Sequence, residues 1–357
     1  MTTMTAPAGA TEAPAGGRPD APTARLILPA GASDTEWHAV RRSGIGGSDV
    51  AAILGLAGKY NSPRRVFETK HGRTVPGDTD TEYAEIGREI EDFIARLFSK
   101  RTGIPIATPP GTLVNNTHPW MLANVDRYAL DGDGGVVAPI ECKNRSEYQL
   151  DDWEDGVPDA PALQAHWYMA VGGWSYAWVA ALVGGNKFRY HRIERDEDMI
   201  DELIRLCGEW YQRHIVEGFP PPADGLEDTK NILGRLWEVK PDDVVDVDLG
   251  KAKGLRAYRA DLKAQMGKLD RELTTVENEM RLLTGDAELA KCGAKTAWTW
   301  KQNGTFAAKK FREEQPEAAV KYVRTVTELD VDRLKAEDPV LYRKYRARRL
   351  VVPSKEL

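Results

Sequence analysis

Hydrophobic and polar positions along this 357-residue chain change period several times, and each change predicts an element. The stretch Asp34-Thr35-Glu36-Trp37-His38-Ala39-Val40-Arg41 reads as a short helix with Asp34 as its N-cap. Gly44-Ile45-Gly46-Gly47-Ser48-Asp49 then marks a tight turn, and the apolar run Val50–Leu56 continues as a capped helix. Residues 81–102 set Ile86, Ile90, Phe93, Ile94 and Leu97 on one helical face, with Gly103 as C-cap. Next come two apolar stretches that predict strands, Trp120–Val125 and Val136–Ile140. Asp131-Gly132-Asp133-Gly134-Gly135 lies between them and is a hairpin signal.

From Ala160 to Asn186 there is no acidic residue, lysine or arginine, a length that would span a bilayer. Pro161, Gln164, His166 and the Gly172-Gly173 pair argue instead for a buried helix over 161–171, a turn, and a buried strand over 174–183. Gly184-Gly185-Asn186 joins that strand to a hairpin partner, Phe188–Glu194. An amphipathic helix follows over Arg195–Glu217, and Phe219-Pro220-Pro221-Pro222 closes the first domain. Over 252–283, Leu255, Tyr258, Leu262, Met266, Leu269, Leu273, Val276, Met280 and Leu283 recur at intervals of three and four, a helical or coiled-coil stripe. Short strands are expected at Lys295–Lys301 and Thr305–Phe311, and the basic run Arg343–Arg349 lies close to the C-terminus. The expected division is a disordered Ala/Pro/Thr/Gly-rich lead over 1–30, a catalytic domain over 31–222, and a helical accessory region over 223–357.

Composition changes this picture little. Hydrophobic content of 41% and charged content of 29% fit a globular protein. The net charge of −6 announces no polyanion partner, yet local basic surface can still bind one. Three scattered cysteines, Cys142, Cys207 and Cys292, suit neither a disulfide framework nor a zinc site and fit a reducing cytoplasm. The lead lacks a basic start followed by an apolar core, so no secretory signal and no membrane association are expected.

The chemistry concentrates around Glu141-Cys142-Lys143. On a strand, Glu141 and Lys143 share a face, and pairing across the hairpin brings Asp126 close to Glu141. Two carboxylates and a lysine at a strand end suit a divalent-metal site with a residue that positions water, the layout of phosphodiester hydrolysis. Alone, Glu-x-Lys is more often a solvated ion pair; Asp126 upstream of a turn raises the functional reading. Glu91, on the long helix, could complete a two-metal cluster, although a lone Glu in a charged helix is more often a surface residue; Gln164 could orient the attacking water or touch a phosphate, or serve as a capped or core-edge amide. Arg41 and Ser48 flank the Gly-rich turn and could bind phosphate, although such a turn alone is more often a simple N-cap. Asn124 shares the strand face of Asp126. The turn matches neither a P-loop nor G-x-G-x-x-G after a strand, which speaks against a nucleotide cofactor.

Taken in order, these pieces resemble the YqaJ-type viral recombinases, the group that includes lambda exonuclease, within the PD-(D/E)XK nucleases. The resemblance runs from about Trp37 to about Glu217. It rests on Trp37-His38-x-x-Arg41 with Gly44–Asp49, on Gly87-Arg88-x-x-Glu91, on Asp126, Glu141 and Lys143, on Gln164, and on Ile193–Glu197. Val125 stands where the family often has a proline, and His166 where many relatives carry a second glutamine. The resemblance implies an α/β fold, a restriction-endonuclease-like core with a central mixed sheet flanked by helices, followed by the helical region with its short strands. It implies Mg²⁺, with Mn²⁺ as a substitute, held by Glu91, Asp126, Glu141 and the Cys142 backbone carbonyl. Lys143 and Gln164 would serve catalysis, and Arg41 and Ser48 would anchor a 5′ phosphate.

The implied activity is 5′-to-3′ digestion of one strand of linear duplex DNA, leaving a 3′ tail for a RecT-type annealing protein. A trimeric ring, a phage or prophage source and a place in the host cytoplasm are implied as well. The competing readings are an endonuclease cutting inside structured or single-stranded DNA, a non-catalytic DNA-end-binding assembly protein, and a structural coiled-coil protein built on 252–283.

Overall fold

In a computed structural model, the structure describes residues 20–58, 61–73, 82–237, 239–240, 243–322 and 328–346. The chain divides into two compact units, Met1–Glu238 and Val239–Leu357.

The first unit is built on a mixed sheet. Its elements are β1 (Ala24–Pro29), α1 (Asp34–Arg42), α2 (Gly47–Ile53), α3 (Pro63–Lys70), α4 (Glu82–Thr102), β2 (Ile106–Ala107), β3 (Gly111–Asn115) and β4 (Leu122–Ala123). There follow β5 (Arg127–Leu130), β6 (Val136–Arg145), α5 (Asp159–Gly172), β7 (Tyr176–Val183), β8 (Lys187–Glu194), α6 (Glu197–Trp210) and α7 (Glu227–Arg235). Five strands pair in the order β2-β5-β6-β7-β8. All neighbours are antiparallel except β6 and β7, which are parallel, with α5 as their crossover. A second sheet has the order β1-β3-β4.

Strand β7 is buried along most of its length, as a strand covered on both faces must be, whereas edge strand β8 alternates between exposed and half-buried positions. Helix α5 is buried nearly all round, which is why its sequence shows little amphipathic pattern. It ends at Gly173, whose φ of 80° is the left-handed C-cap conformation that glycine adopts without strain. One face of the sheet packs on α5 through Val179, Ala181 and Val183; the other packs on α4 through Ile94, Ala95 and Phe98.

Several sequence expectations shift. Ser33, not Asp34, caps α1, in a capping box with Glu36. Leu26 and its neighbours, expected in a disordered lead, form β1 against β3; residues 1–19 lie outside the described set. The α4 stripe is rotated: Ile86 and Phe93 are exposed and Phe98 is buried, because the sheet meets the 90/94/98 line of the helix. Only Leu122–Ala123 of the 120–125 stretch is strand, and it pairs with β3. The hairpin partner of β6 is β5, so Asp126 stands at the entrance of that strand rather than at the end of the preceding one. The amphipathic helix expected over 195–217 changes to a π-helical turn at Tyr211–Val216. Beyond Pro222 the chain stays with the first unit, as α7 returns to pack on α3 through Asp228, which accepts from Ser62 Oγ at 2.8 Å and Arg65 Nε at 2.7 Å.

In the second unit, α8 (Leu249–Thr284) carries the predicted stripe, with Leu255, Met266 and Leu269 exposed. β9 (Leu289–Cys292) and β10 (Lys295–Thr299) form a hairpin, and Trp298 Nε1 donates to Thr284 Oγ1 at 2.7 Å, tying it to the helix end. The strand expected at 305–311 is absent; α9 (Ala308–Glu314) begins there instead. Short helices α10 (Pro316–Val320), α11 (Val331–Glu337) and α12 (Pro339–Lys344) follow. Arg343 and Arg346 of the basic run are described; residues 347–349 lie outside the described set.

Candidate active site

The register of β5 and β6 pairs Arg127 with Ile140, so Asp126 stands opposite Glu141. Asp126 Oδ2 accepts from the Cys142 amide at 2.7 Å, which fixes the carboxylate against the strand. Glu141 is 2% exposed, and its Oε2 is buried with no hydrogen-bond partner among the described residues. Lys143, on the same face, pairs with Glu141 Oε1 and donates to Gln164 Oε1 at 3.0 Å.

Gln164 in turn donates to Tyr168 Oη at 2.7 Å, and that hydroxyl donates to the Asn124 carbonyl at 2.6 Å. Helix α5 thus links the lysine to the chain just before Asp126. Tyr168 went unnoticed in the sequence, although it lies one helical turn after Gln164. Asn124 receives Thr112 Oγ1 on its side-chain oxygen at 2.7 Å. His166 points to the opposite side, buried beside Arg195 and Asp196, and takes no part in this row.

Glu91 approaches from α4 but is held by Arg127, whose NH1 donates to it at 2.9 Å. Arg127 also reaches Asp92 at 3.3 Å and its own neighbour's Asp126 carbonyl at 2.5 Å. This clamp was also missed; only its position next to Asp126 signals it. Burial raises the Asp126 carboxyl well above the usual range, and repulsion from Glu141 and Glu91 adds to the rise. Burial likewise raises Glu91, opposed by Arg127.

Among the described residues, no three His, Cys, Asp or Glu side chains stand ready to enclose a metal ion. The reason is visible in the pairing: Arg127 draws off Glu91 and Lys143 occupies one oxygen of Glu141. The residues nonetheless fit a hard divalent cation. Glu141 keeps one buried oxygen without a partner although Lys143 takes the other, and Asp126 is crowded by the Glu141 and Glu91 carboxylates, so a further cation would relieve both. Mg²⁺ commonly takes one or two carboxylates and completes its shell with waters, so two facing carboxylates suffice.

The second group lies alongside. Arg41 NH2 donates to Ser48 Oγ at 3.0 Å, and the guanidinium rests over the Trp37 ring, 4.9 Å from its centroid. Asp49 accepts from the Gly46 amide at 2.9 Å and from Lys70 Nζ at 2.6 Å; Lys70 also donates to the Arg41 carbonyl at 2.7 Å. A Cβ on Gly47 would fall 2.8 Å from the Tyr168 ring and 2.9 Å from Gln164 Cγ. This close approach sets the Arg41–Ser48 turn against the helix that carries Gln164. A cleft of about 950 Å³ opens here, lined by Arg41, Arg88, Glu91, Asn124, Asp126 and Arg127 among others. Glu141, Lys143 and Gln164 are not part of its lining, so Asp126 is the member of the row that opens into it.

A mixed sheet with a facing carboxylate pair, a lysine two positions on and a glutamine from the crossover helix defines an α/β protein with a charged, partly buried cluster at the strand ends. Comparison with known proteins narrows it. Residues 36–175 match the YqaJ-like viral recombinase domain. The uncharacterized protein YqaJ of Bacillus subtilis (strain 168) is 31% identical over 290 residues, 80% of this chain and 89% of that protein. The chain belongs to the YqaJ-like viral recombinase family. Among solved structures it is similar to an alkaline exonuclease from Laribacter hongkongensis, at 18% identity and a TM-score of 0.41, over 51% of this chain and 93% of that one. It is also similar to a phage related exonuclease from Haemophilus somnus, at 14% identity and a TM-score of 0.38, over 51% and 99%.

Proposed function

We propose that this chain is a metal-dependent DNA exonuclease of phage recombination, digesting one strand of linear duplex DNA from 5′ to 3′ and leaving a 3′ single-stranded tail. The observation that carries the reading is Asp126 facing Glu141 across β5 and β6, with Lys143 on the Glu141 face and joined to Gln164. Membership of a recombinase family supports the setting.

In this reading Asp126, Glu141, Glu91 and the Cys142 carbonyl would hold Mg²⁺, with Mn²⁺ as a substitute. Bound Mg²⁺ would polarise the phosphate and make a bound water acidic. Lys143 positions that water and offsets charge gathering on the phosphoryl oxygens. Gln164 keeps the ammonium aimed by accepting from it. Arg41 and Ser48 anchor the terminal 5′ phosphate, for which a guanidinium offers a paired, charge-assisted contact. Asn124 contacts the strand from the cleft wall. The tail would pass to a RecT-type annealing protein, and the active form would be a homo-oligomer, a trimeric ring in the resemblance; both would act in the cytoplasm of the host.

The test is digestion of linear duplex labelled at either the 5′ or the 3′ end, beside a closed circle. Early release of the 5′ label with the circle intact supports the proposal. Cutting of the circle would favour an endonuclease of the same fold.

A further inference from the structure

Strand β6 does not end at Lys143. It runs on to Arg145, paired in register with Val183 of β7, so Glu141, Lys143 and Arg145 project from one face. Arg145 is half-buried. A guanidinium carries five N–H donors. Here the hydrogen bond made by the side chain goes from NH1 to the neighbouring Asn144 carbonyl, at 2.9 Å. Among the described residues no carboxylate lies within ion-pair distance of it. Glu141 is close enough to act on it electrostatically, but that carboxylate is already paired with Lys143. Burial disfavours the charge and draws the guanidinium below its ordinary value.

A cation taken partly out of water normally has a partner anion in the protein. Arg145 has the surroundings of such a cation, yet among the described residues its fork meets one backbone carbonyl and no carboxylate. Residues two apart on a strand are separated by about 7 Å, comparable to the spacing of successive phosphates along one nucleic-acid strand. We infer that Arg145 is a substrate-positioning residue that binds the backbone phosphate next to the scissile one, on the strand being cut. The inference rests on the nuclease reading above and adds a contact to it: Lys143 would face the scissile phosphate and Arg145, two positions on along the same face, the next one. Arginine suits this better than lysine because its planar fork pairs with two phosphate oxygens at once.

The test uses the full chain, as wild type, R145Q and R145K, with a 5′-phosphorylated linear duplex oligonucleotide. Binding is measured with Ca²⁺ in place of Mg²⁺ over a range of NaCl concentrations, KM and kcat with Mg²⁺, and folding by near-ultraviolet circular dichroism and thermal melting. Loss of one phosphate contact lowers the slope of log K against log salt by about 0.9. R145Q should show that flattening, with KM raised by about 10-fold or more and kcat at saturating DNA within a few-fold of wild type. R145K should keep the wild-type slope with an intermediate KM. A folded R145Q with the wild-type slope and KM overturns the assignment. An unfolded R145Q also overturns it, and returns Arg145 to the role of pinning the strand end through Asn144. If wild type digests no DNA, the nuclease reading itself fails; if wild type digests DNA and R145Q matches it, only the inference about Arg145 falls.

Discussion

Replacing Lys70 with methionine probes how the first unit holds Arg41 in place. The Lys70 side chain is 1% exposed, and its ammonium lies 2.6 Å from Asp49 Oδ2 and 2.7 Å from the Arg41 carbonyl. Burial pushes the Asp49 carboxyl up, but Lys70 and Arg41 beside it, with bonds from Lys70 and the Gly46 amide, hold it below the usual carboxylate range. Methionine fills much of the space of the lysine stem and removes the charge. Asp49 is then left buried, with Arg41 3.9 Å away as its nearest cation. Removing one partner of a buried pair costs about 3–5 kcal/mol, because the other charge stays desolvated. K70M should therefore lose about that much unfolding free energy.

Adding Asp49→Asn removes the stranded charge yet keeps an acceptor for the Gly46 amide, so D49N/K70M should recover most of the loss. Urea denaturation followed by tryptophan fluorescence reports on this unit, since every tryptophan except Trp298 and Trp300 lies in it. A K70M loss under about 1 kcal/mol at unchanged m, or a double variant no better than the single one, would refute the reasoning.

Asp126 gives a prediction with the opposite sign. Its folded pKa lies above its unfolded value, so the stability tied to its proton is full below the unfolded value of about 3.9 and is lost as pH rises through the folded one. Asp126→Asn should raise the Tm of metal-free protein more at pH 8 than at pH 5, by about 2–4 °C per kcal/mol in a unit of this size; equal shifts at the two pH values would count against it. Lys143→Ala should lower kcat by about 10²–10⁴-fold with DNA affinity little changed, and equal losses in both would make Lys143 a binding residue. Arg41→Ala should slow digestion of 5′-phosphorylated ends more than 5′-hydroxyl ends; equal slowing would assign it to general backbone contact or to the fold.

Much of this was legible because it is local. Gly132 and its neighbours announced the 131–135 turn, and the turn is made: Asp131 Oδ1 accepts from the Asp133 and Gly135 amides at 3.0 and 2.8 Å. Period two along β6 put Glu141 and Lys143 on one face, and the hairpin carried Asp126 to them even though the pairing strand begins one residue after it rather than ending before it. What stayed hidden depends on partners distant in sequence. Lys70 and Asp49 sit on separate helices, with nothing local to mark them as a buried pair. Arg127 reads as an ordinary surface arginine until α4 folds over it. The α4 face was misplaced because Ile86 and Phe93 obey the helical period as well as Phe98 does, and only the position of the sheet chooses between them.

The central claim is that Asp126 and Glu141 support divalent-metal hydrolysis of DNA ends. The most direct measurement is nucleotide release from an end-labelled linear duplex by purified wild type, D126N and E141Q, each with Mg²⁺ and with EDTA, with folding of all three checked by circular dichroism. The expected result is release by wild type in Mg²⁺ alone, and none above background from either folded variant. Release in EDTA, or near-normal turnover by a folded D126N or E141Q, would contradict the claim.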